Sequence, residues 1–209
     1  MKKYITEFIG TFFLVFVIGM VVLGGKGDFA PLAIGSTLMV MIYAGGHISG
    51  AHYNPAVTLA VLIRRKISVA EAIGYMIVQI IGACIASLIV IYFINDKVPA
   101  QAPVMHNIPK SLLAEFLGTF ALAYVVLNVA TAKATSGNSF YGLAIGFTVL
   151  AMALALGAVA VGAFNPAVAI GISLLKLSSW SNIWIFLVGC FGGGALAAVV
   201  FRINNPDDK

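Results

Sequence analysis

Long apolar runs separated by short polar segments dominate this sequence. Six of these runs contain at least 20 residues, which is about the length an α-helix needs to cross a bilayer. The predicted spans are about Tyr4–Leu23, Pro31–Gly50, Val69–Ile94, Lys110–Thr131, Ser139–Ala158 and Trp180–Phe201. Because the runs are far longer than the roughly 10-residue alternating segments of a membrane β-barrel, they predict helices.

Two further apolar runs are too short to span a membrane. They are Asn54–Ile63 and Asn165–Leu175, and both begin Asn-Pro-Ala-Val. Asn is a good helix N-cap, and Pro is well tolerated at the first helical position. Each run therefore predicts a short helix whose N-terminal N–H groups lie unpaired inside a membrane protein. Two such helices indicate a polar pathway.

The chain contains an internal repeat. The segment Leu32–Gly35 matches Leu143–Gly146, and Asn54 matches Asn165, both with an offset of 111 residues. The sequence Glu-Phe-x-Gly-Thr-Phe also occurs twice, beginning at Glu7 and at Glu115. Three spans per half is an odd number, so the second half inserts upside down relative to the first. We therefore expect one domain over residues 1–209, with inverted repeats at about 1–94 and 110–202.

The composition agrees with a membrane protein and sets an orientation. The chain is 61% hydrophobic and 9% charged, with a mean hydropathy of +1.06, whereas soluble domains are about 25% charged. With the N-terminus inside, eight Lys and Arg residues fall on the inner face and four on the outer face. The positive-inside rule then predicts cytoplasmic N- and C-termini in a plasma (inner) membrane. The net charge of +5 is explained by these loops and does not indicate nucleic-acid binding. Cys84 and Cys190 lie in apolar runs and are interpreted as packing residues.

These motifs together resemble the aquaporin, or major intrinsic protein, family. The resemblance rests on the two Asn-Pro-Ala motifs, on the segment Ser49–Thr58 and on the Glu-Phe-x-Gly-Thr-Phe repeats, and it covers essentially the whole chain. It implies an all-α membrane fold of six transmembrane helices plus two re-entrant half-helices. It also implies a homotetramer in the lipid bilayer, with one pore in each subunit.

The resemblance assigns roles to residues around the two motifs. The pore centre would be Asn54, Pro55, Ala56, Asn165, Pro166 and Ala167. The carbonyl groups that accept hydrogen bonds along the pore would be those of Gly50, Ala51, His52, Val161, Gly162 and Ala163. The half-helix N-termini would repel cations, because each carries roughly half a positive charge.

Several polar residues have two possible roles. Glu7 and Glu115 are intramembrane carboxyl groups, which often relay protons, but their duplication favours hydrogen-bonded support of each loop. Gln79 is expected to give similar support. His47 and His52 near the cytoplasmic mouth could brace the loop or form a pH-sensitive gate.

One position departs from the family pattern. The family usually has Arg directly after the second Asn-Pro-Ala, whereas this chain has Val168. With the matching positions Ile34, Ala153 and Gly162, this substitution predicts a wide, apolar and uncharged filter. A Val at this position also resembles the bacterial branch that is associated with arsenic handling.

The sequence thus predicts a passive channel for small uncharged solutes and water. The solutes would include small polyols and metalloid hydroxides such as arsenite. An ordinary water-selective aquaporin is the main alternative, and a secondary transporter or a structural membrane protein is a further one. We expect no enzymatic activity, no cofactor, no metal site and no nucleic-acid partner.

Overall fold

Eight α-helices make up the described part of the chain, residues 1–208, in the computed structural model. They are α1 (Lys2–Leu23), α2 (Ala30–Ser49), α3 (Pro55–Ile63), α4 (Val69–Ile94), α5 (Ile108–Ala130), α6 (Tyr141–Leu156), α7 (Pro166–Leu174) and α8 (Ile183–Asn204). No β-strand occurs within residues 1–208. The prediction of an all-helical fold with six long helices and two half-helices is confirmed.

Five of the long helices, α1, α2, α4, α5 and α8, are long and apolar enough to cross a membrane. The helix α6 is shorter than its predicted span, with 16 residues instead of the run 139–158. It ends where the backbone turns at Gly157, and the polypeptide then enters the second re-entrant loop. The helix α8 begins three residues later than predicted, because Trp180–Asn182 forms a 3₁₀ turn.

The two halves of the chain pack through each other. Within a half, α1 contacts α2 and α4, and α5 contacts α6 and α8. Between halves, α2 packs against α6, while the half-helix α3 packs mainly on α8 and the half-helix α7 mainly on α4. Each half-helix is therefore held by a long helix from the other half, so neither half can build the centre alone.

Small residues allow the long helices to cross closely. A Cβ on Gly35 would lie 2.7 Å from the carbonyl oxygen of Gly146, where α2 meets α6. A Cβ on Gly82 would lie 2.7 Å from the carbonyl oxygen of Phe8, where α4 meets α1. Such contacts let helix backbones approach in a membrane, where packing rather than hydrophobic burial drives helix association.

Each re-entrant loop carries one aromatic residue that enters a slot opposite a glycine. The Tyr53 ring lies against Gly10 of α1, and the Phe164 ring lies against Gly118 of α5. Both rings are fully buried, and both residues have a φ of +49°. Non-glycine residues seldom adopt this left-handed conformation, so the ring packing helps to hold the backbone in it.

The inner end of α3 is fixed by the C-terminal tail. The Arg64 guanidinium lies 4.8 Å from the centre of the Phe201 ring and donates to Asp208 at 2.6 Å. The other carboxylate oxygen of Asp208 accepts the backbone N–H of Lys133 at 2.8 Å. That N–H, with Arg64, holds the pKa of Asp208 below its ordinary value. The tail therefore ties α3 to the α5–α6 loop.

The aromatic slot gives a stability prediction. The change Gly118→Ala places a methyl group within the space of the Phe164 ring, and such overpacking costs about 1–3 kcal/mol. Thermal unfolding in detergent should show a clearly lower midpoint. The matched control is Gly27→Ala, because a Cβ there meets nothing within 4 Å. Equal midpoints for the two variants would contradict this account of the slot.

Candidate pore

The N-termini of the two half-helices are capped by the paired asparagines. The Asn54 side-chain oxygen accepts the backbone N–H of Ala56 at 2.8 Å and that of Val57 at 3.4 Å. The Asn165 oxygen accepts the N–H of Ala167 at 2.9 Å and that of Val168 at 3.4 Å. Pro55 and Pro166, which lack an N–H group, occupy the first helical positions. The remaining N-terminal groups leave a partial positive charge at each helix start.

The same asparagines also join the two loops. The Asn54 amide donates to the carbonyl of Phe164 at 2.9 Å, and the Asn165 amide donates to the carbonyl of Tyr53 at 2.9 Å. A side-chain amide has two N–H groups, so each asparagine keeps one for another acceptor. Both side chains line the central cavity, and a passing hydroxyl group or water molecule can accept from them there.

Glu7 supports the first re-entrant loop. One carboxylate oxygen accepts the Ser49 hydroxyl at 2.7 Å and the His52 backbone N–H at 2.9 Å. The other accepts the Tyr53 N–H at 2.7 Å and the Gln79 amide at 2.8 Å. Glu7 is fully buried in α1. Four donors therefore converge on one carboxylate and fix the backbone just before Asn54.

Glu115 occupies the matching position in the second half. It accepts the backbone N–H groups of Gly162 and Ala163 at 3.0 Å each, and that of Phe164 at 2.8 Å. The Cys190 thiol lies 3.8 Å from the same carboxylate. Cys190 thus stands where Gln79 stands in the first half, again with an offset of 111 residues, and it contributes a polar contact in addition to packing.

A cavity of about 600 Å³ runs from the outer loops past the two asparagines as far as His52. All four residues of the predicted filter, Ile34, Ala153, Gly162 and Val168, line it. Its walls on the helix side are aliphatic, and among the described lining residues Asp28 at the outer mouth is the one with a charged side chain. The filter positions thus offer no charged group and no side-chain hydrogen-bond donor.

The residues predicted to supply pore carbonyls lie along the same path. Ala51, His52, Val161, Gly162 and Ala163 line the cavity, and Gly50 lines two further inner pockets. His47 lies in an inner pocket beside the α5–α6 loop, away from the central cavity. The irregular backbone at membrane depth therefore faces a cavity, as such backbone must.

The arrangement can guide neutral molecules along a polar stripe opposite an apolar wall. Two half-helix N-termini converge where the asparagines meet, and this disfavours cations. No group of three or more His, Cys, Asp or Glu residues within 1–208 could hold a metal ion. The polar stripe, the apolar wall and the paired half-helix N-termini are together the components of a permeation path.

Sequence reasoning missed two features of this site. It did not foresee the bonds from each asparagine to the opposite loop, because motif spacing does not reveal which carbonyl faces which amide. It also treated Cys190 as a packing residue, although the 111-residue offset from Gln79 pointed to a place beside Glu115.

Comparisons with known proteins agree with this geometry. The major intrinsic protein family matches residues 1–201. A glycerol uptake facilitator protein-like 6 from Lactiplantibacillus plantarum is 39% identical, with all of both chains covered. Aquaporin NIP1-1 from Oryza sativa is 35% identical, with 98% of this chain and 75% of that protein covered. The solved aquaglyceroporin from Plasmodium falciparum has a similar fold, with a TM-score of 0.83 at 21% identity over 98% of this chain and 97% of that one.

The hydrogen bonds to Glu7 favour structural support over proton relay, and a substitution tests this. The change Glu7→Gln leaves two of the four converging donors facing an NH₂ group, and each unsatisfied buried donor costs about 1–3 kcal/mol. We expect a lower unfolding midpoint and a loss of water flux in proteoliposomes. Asp96→Asn is the control, because Asp96 forms a solvent-exposed ion pair with Lys97 and lines none of the three cavities. Unchanged stability and flux in Glu7→Gln would contradict the support role.

Proposed function

Because this chain belongs to the major intrinsic protein family of membrane channels, we propose that it conducts small uncharged solutes as well as water. The solute class comprises small polyols and metalloid hydroxides such as arsenite. Movement is passive, down the concentration gradient. The channel works as a homotetramer in the plasma (inner) membrane, with both termini in the cytoplasm.

The observation that carries this proposal is the character of the filter positions. Ile34, Ala153, Gly162 and Val168 line one cavity of about 600 Å³ and bring to it no charge and no fixed side-chain donor. A narrow filter selects by size, and its donors replace part of the hydration shell of the permeant. A wide apolar filter has neither the small diameter nor the fixed donors that would restrict the pathway to water, so bulkier and less polar neutral molecules can enter.

The centre of the pore accounts for the preference for uncharged permeants. The starts of α3 and α7 meet at Asn54 and Asn165, and each contributes roughly half a positive charge. Cations are therefore disfavoured even without the filter arginine of the family. Neutral hydroxyl groups can accept hydrogen bonds from the free asparagine N–H groups and donate to the loop carbonyls, so a hydroxylated solute crosses without strong trapping.

The name of one relative also supports the conduction of polyols. The 39% identical bacterial relative is named glycerol uptake facilitator protein-like 6, and the name is consistent with a polyol-conducting pore. The orientation is supported by the distribution of Lys and Arg, with eight on the inner side and four on the outer side.

The proposal is tested by stopped-flow light scattering on proteoliposomes with water, glycerol, urea and arsenite measured in parallel. We expect flux of water and of the neutral solutes above that of protein-free liposomes. High water flux without solute flux would favour a water-selective channel. Solute flux that requires a proton gradient would favour a secondary transporter, and no flux of any kind would favour a structural role.

The filter itself is tested by Val168→Arg. The guanidinium narrows the cavity and adds fixed donors, so solute flux should fall more than water flux. Val168→Met is the matched comparison, since it adds bulk without charge. If the ratio of glycerol to water permeability is the same in Val168→Arg and in the parent, Val168 does not line the constriction.

A further inference from the structure

We propose that permeants are selected at an inner neck, formed by His52 and Val126, rather than at the outer filter. The inference rests on the proposed function for the class of solute. It locates the decisive constriction on the cytoplasmic side of the asparagine pair, and it assigns His52 a hydrogen-bonding role toward the permeant.

The cavities define the position of this neck. The outer cavity of about 600 Å³ includes all four filter residues and continues past Asn54 and Asn165. A separate inner cavity of about 270 Å³ opens toward Lys3, Lys66 and Glu71. His52 and Val126 are the two residues that line both cavities. The division of the path therefore falls at this pair, whereas the filter lies within one continuous space.

Burial agrees with the cavities. The exposed fraction is 8% for His52 and 6% for Val126, and the adjoining Ile42 and Ile145 are 2% and 4% exposed. Ile42 and Ile145 also line both the outer cavity and a further inner pocket. At the filter, Ile34, Ala153 and Gly162 are partly exposed, whereas Val168 is 4% exposed. All four residues around the neck are therefore buried, but only one of the four filter residues is.

The His52 ring is held in one orientation. Its Nδ1 lies 3.1 Å from the Thr58 hydroxyl, and the ring makes a T-shaped contact with Tyr75, with ring centres 5.1 Å apart. Tyr75 in turn donates to the Ser49 carbonyl at 2.7 Å. The imidazole is therefore fixed from two sides and cannot swing freely out of the path.

The surrounding bonds also decide which ring nitrogen carries the proton. The Thr58 hydroxyl donates to the Asn54 carbonyl at 2.9 Å and accepts the Gln79 amide at 3.1 Å. A hydroxyl group has one proton to give, so Nδ1 of His52 must donate to it. Nε2 is then left as an acceptor. A Cβ on Gly50 would lie only 3.3 Å from Nε2, so glycine keeps that side of the ring open.

The neck thus combines one acceptor with an aliphatic wall. A neutral solute that offers a hydroxyl proton to Nε2 can replace the water it loses, while its carbon side faces Val126. Solutes too broad for the neck can fill the outer cavity but cannot cross. The wide filter then sets what enters, and the neck sets what passes.

The test is a series of linear polyols, namely glycerol, erythritol and ribitol, measured by stopped-flow on proteoliposomes. Val126→Ala removes two methyl groups from the neck. We expect it to raise erythritol and ribitol flux several-fold relative to glycerol. Val125→Ala is the matched control, because the neighbouring side chain packs into the core and lines none of the three cavities.

Two comparisons make the outcome decisive. Ile34→Ala widens the outer filter, and it should raise the flux of erythritol and ribitol less than Val126→Ala does. If Ile34→Ala raises that flux more, selection does not occur at the inner neck. His52→Ala should also admit larger polyols, with His52→Phe reducing all polyol flux. If the parent conducts only water, the proposed function fails separately, and the neck still predicts new solute flux in Val126→Ala. If Val126→Ala gains no solute flux, the inner-neck proposal is wrong.

Discussion

Two asparagine side chains satisfy the backbone where the chain breaks its helices in mid-membrane, and the rest of the structure depends on them. Inside a bilayer, unsatisfied N–H and C=O groups cost several kcal/mol each. Asn54 and Asn165 each cap one half-helix with the side-chain oxygen and bind the opposite loop with the amide. The two halves of the chain are thereby locked together at the point where a permeant passes. The free N–H groups that remain are the polar centre of the pore.

The loops around this centre are held by buried groups from the long helices. Glu7 and Glu115 collect the backbone N–H groups that precede each asparagine, so the loop carbonyls can face the cavity. Tyr53 and Phe164 fill slots opposite glycines and stabilise a backbone conformation that non-glycine residues seldom adopt. Because the N–H side of each loop is bound to protein, the acceptor side is available to solutes. The apolar wall of the cavity, which lies across from the loop carbonyls, is formed by close helix packing alone.

The fold could be predicted from the sequence because its signals are strong and repeated. Apolar run lengths predicted the long helices, and the Asn-Pro pairs predicted both half-helices to within a residue of their observed ends. The end of α6 was missed, because the apolar run continues through Gly157 into the loop. The filter positions could be mapped by offset from the asparagines. The cross-loop bonds, the contact of Cys190 with Glu115 and the position of His52 and Val126 between two cavities depend on three-dimensional packing, which no periodicity encodes.

In the proposed channel, a wide entrance leads to a selective interior. Val168 removes the family's fixed charge from the outer filter, and the half-helix N-termini keep the centre unfavourable to cations. If water and small solutes share this single path, their flows must interact. The most direct test is the reflection coefficient of glycerol, measured on proteoliposomes from the initial osmotic response. We predict a value clearly below unity. A value equal to unity would contradict the account, because glycerol would then be excluded from the path that water takes.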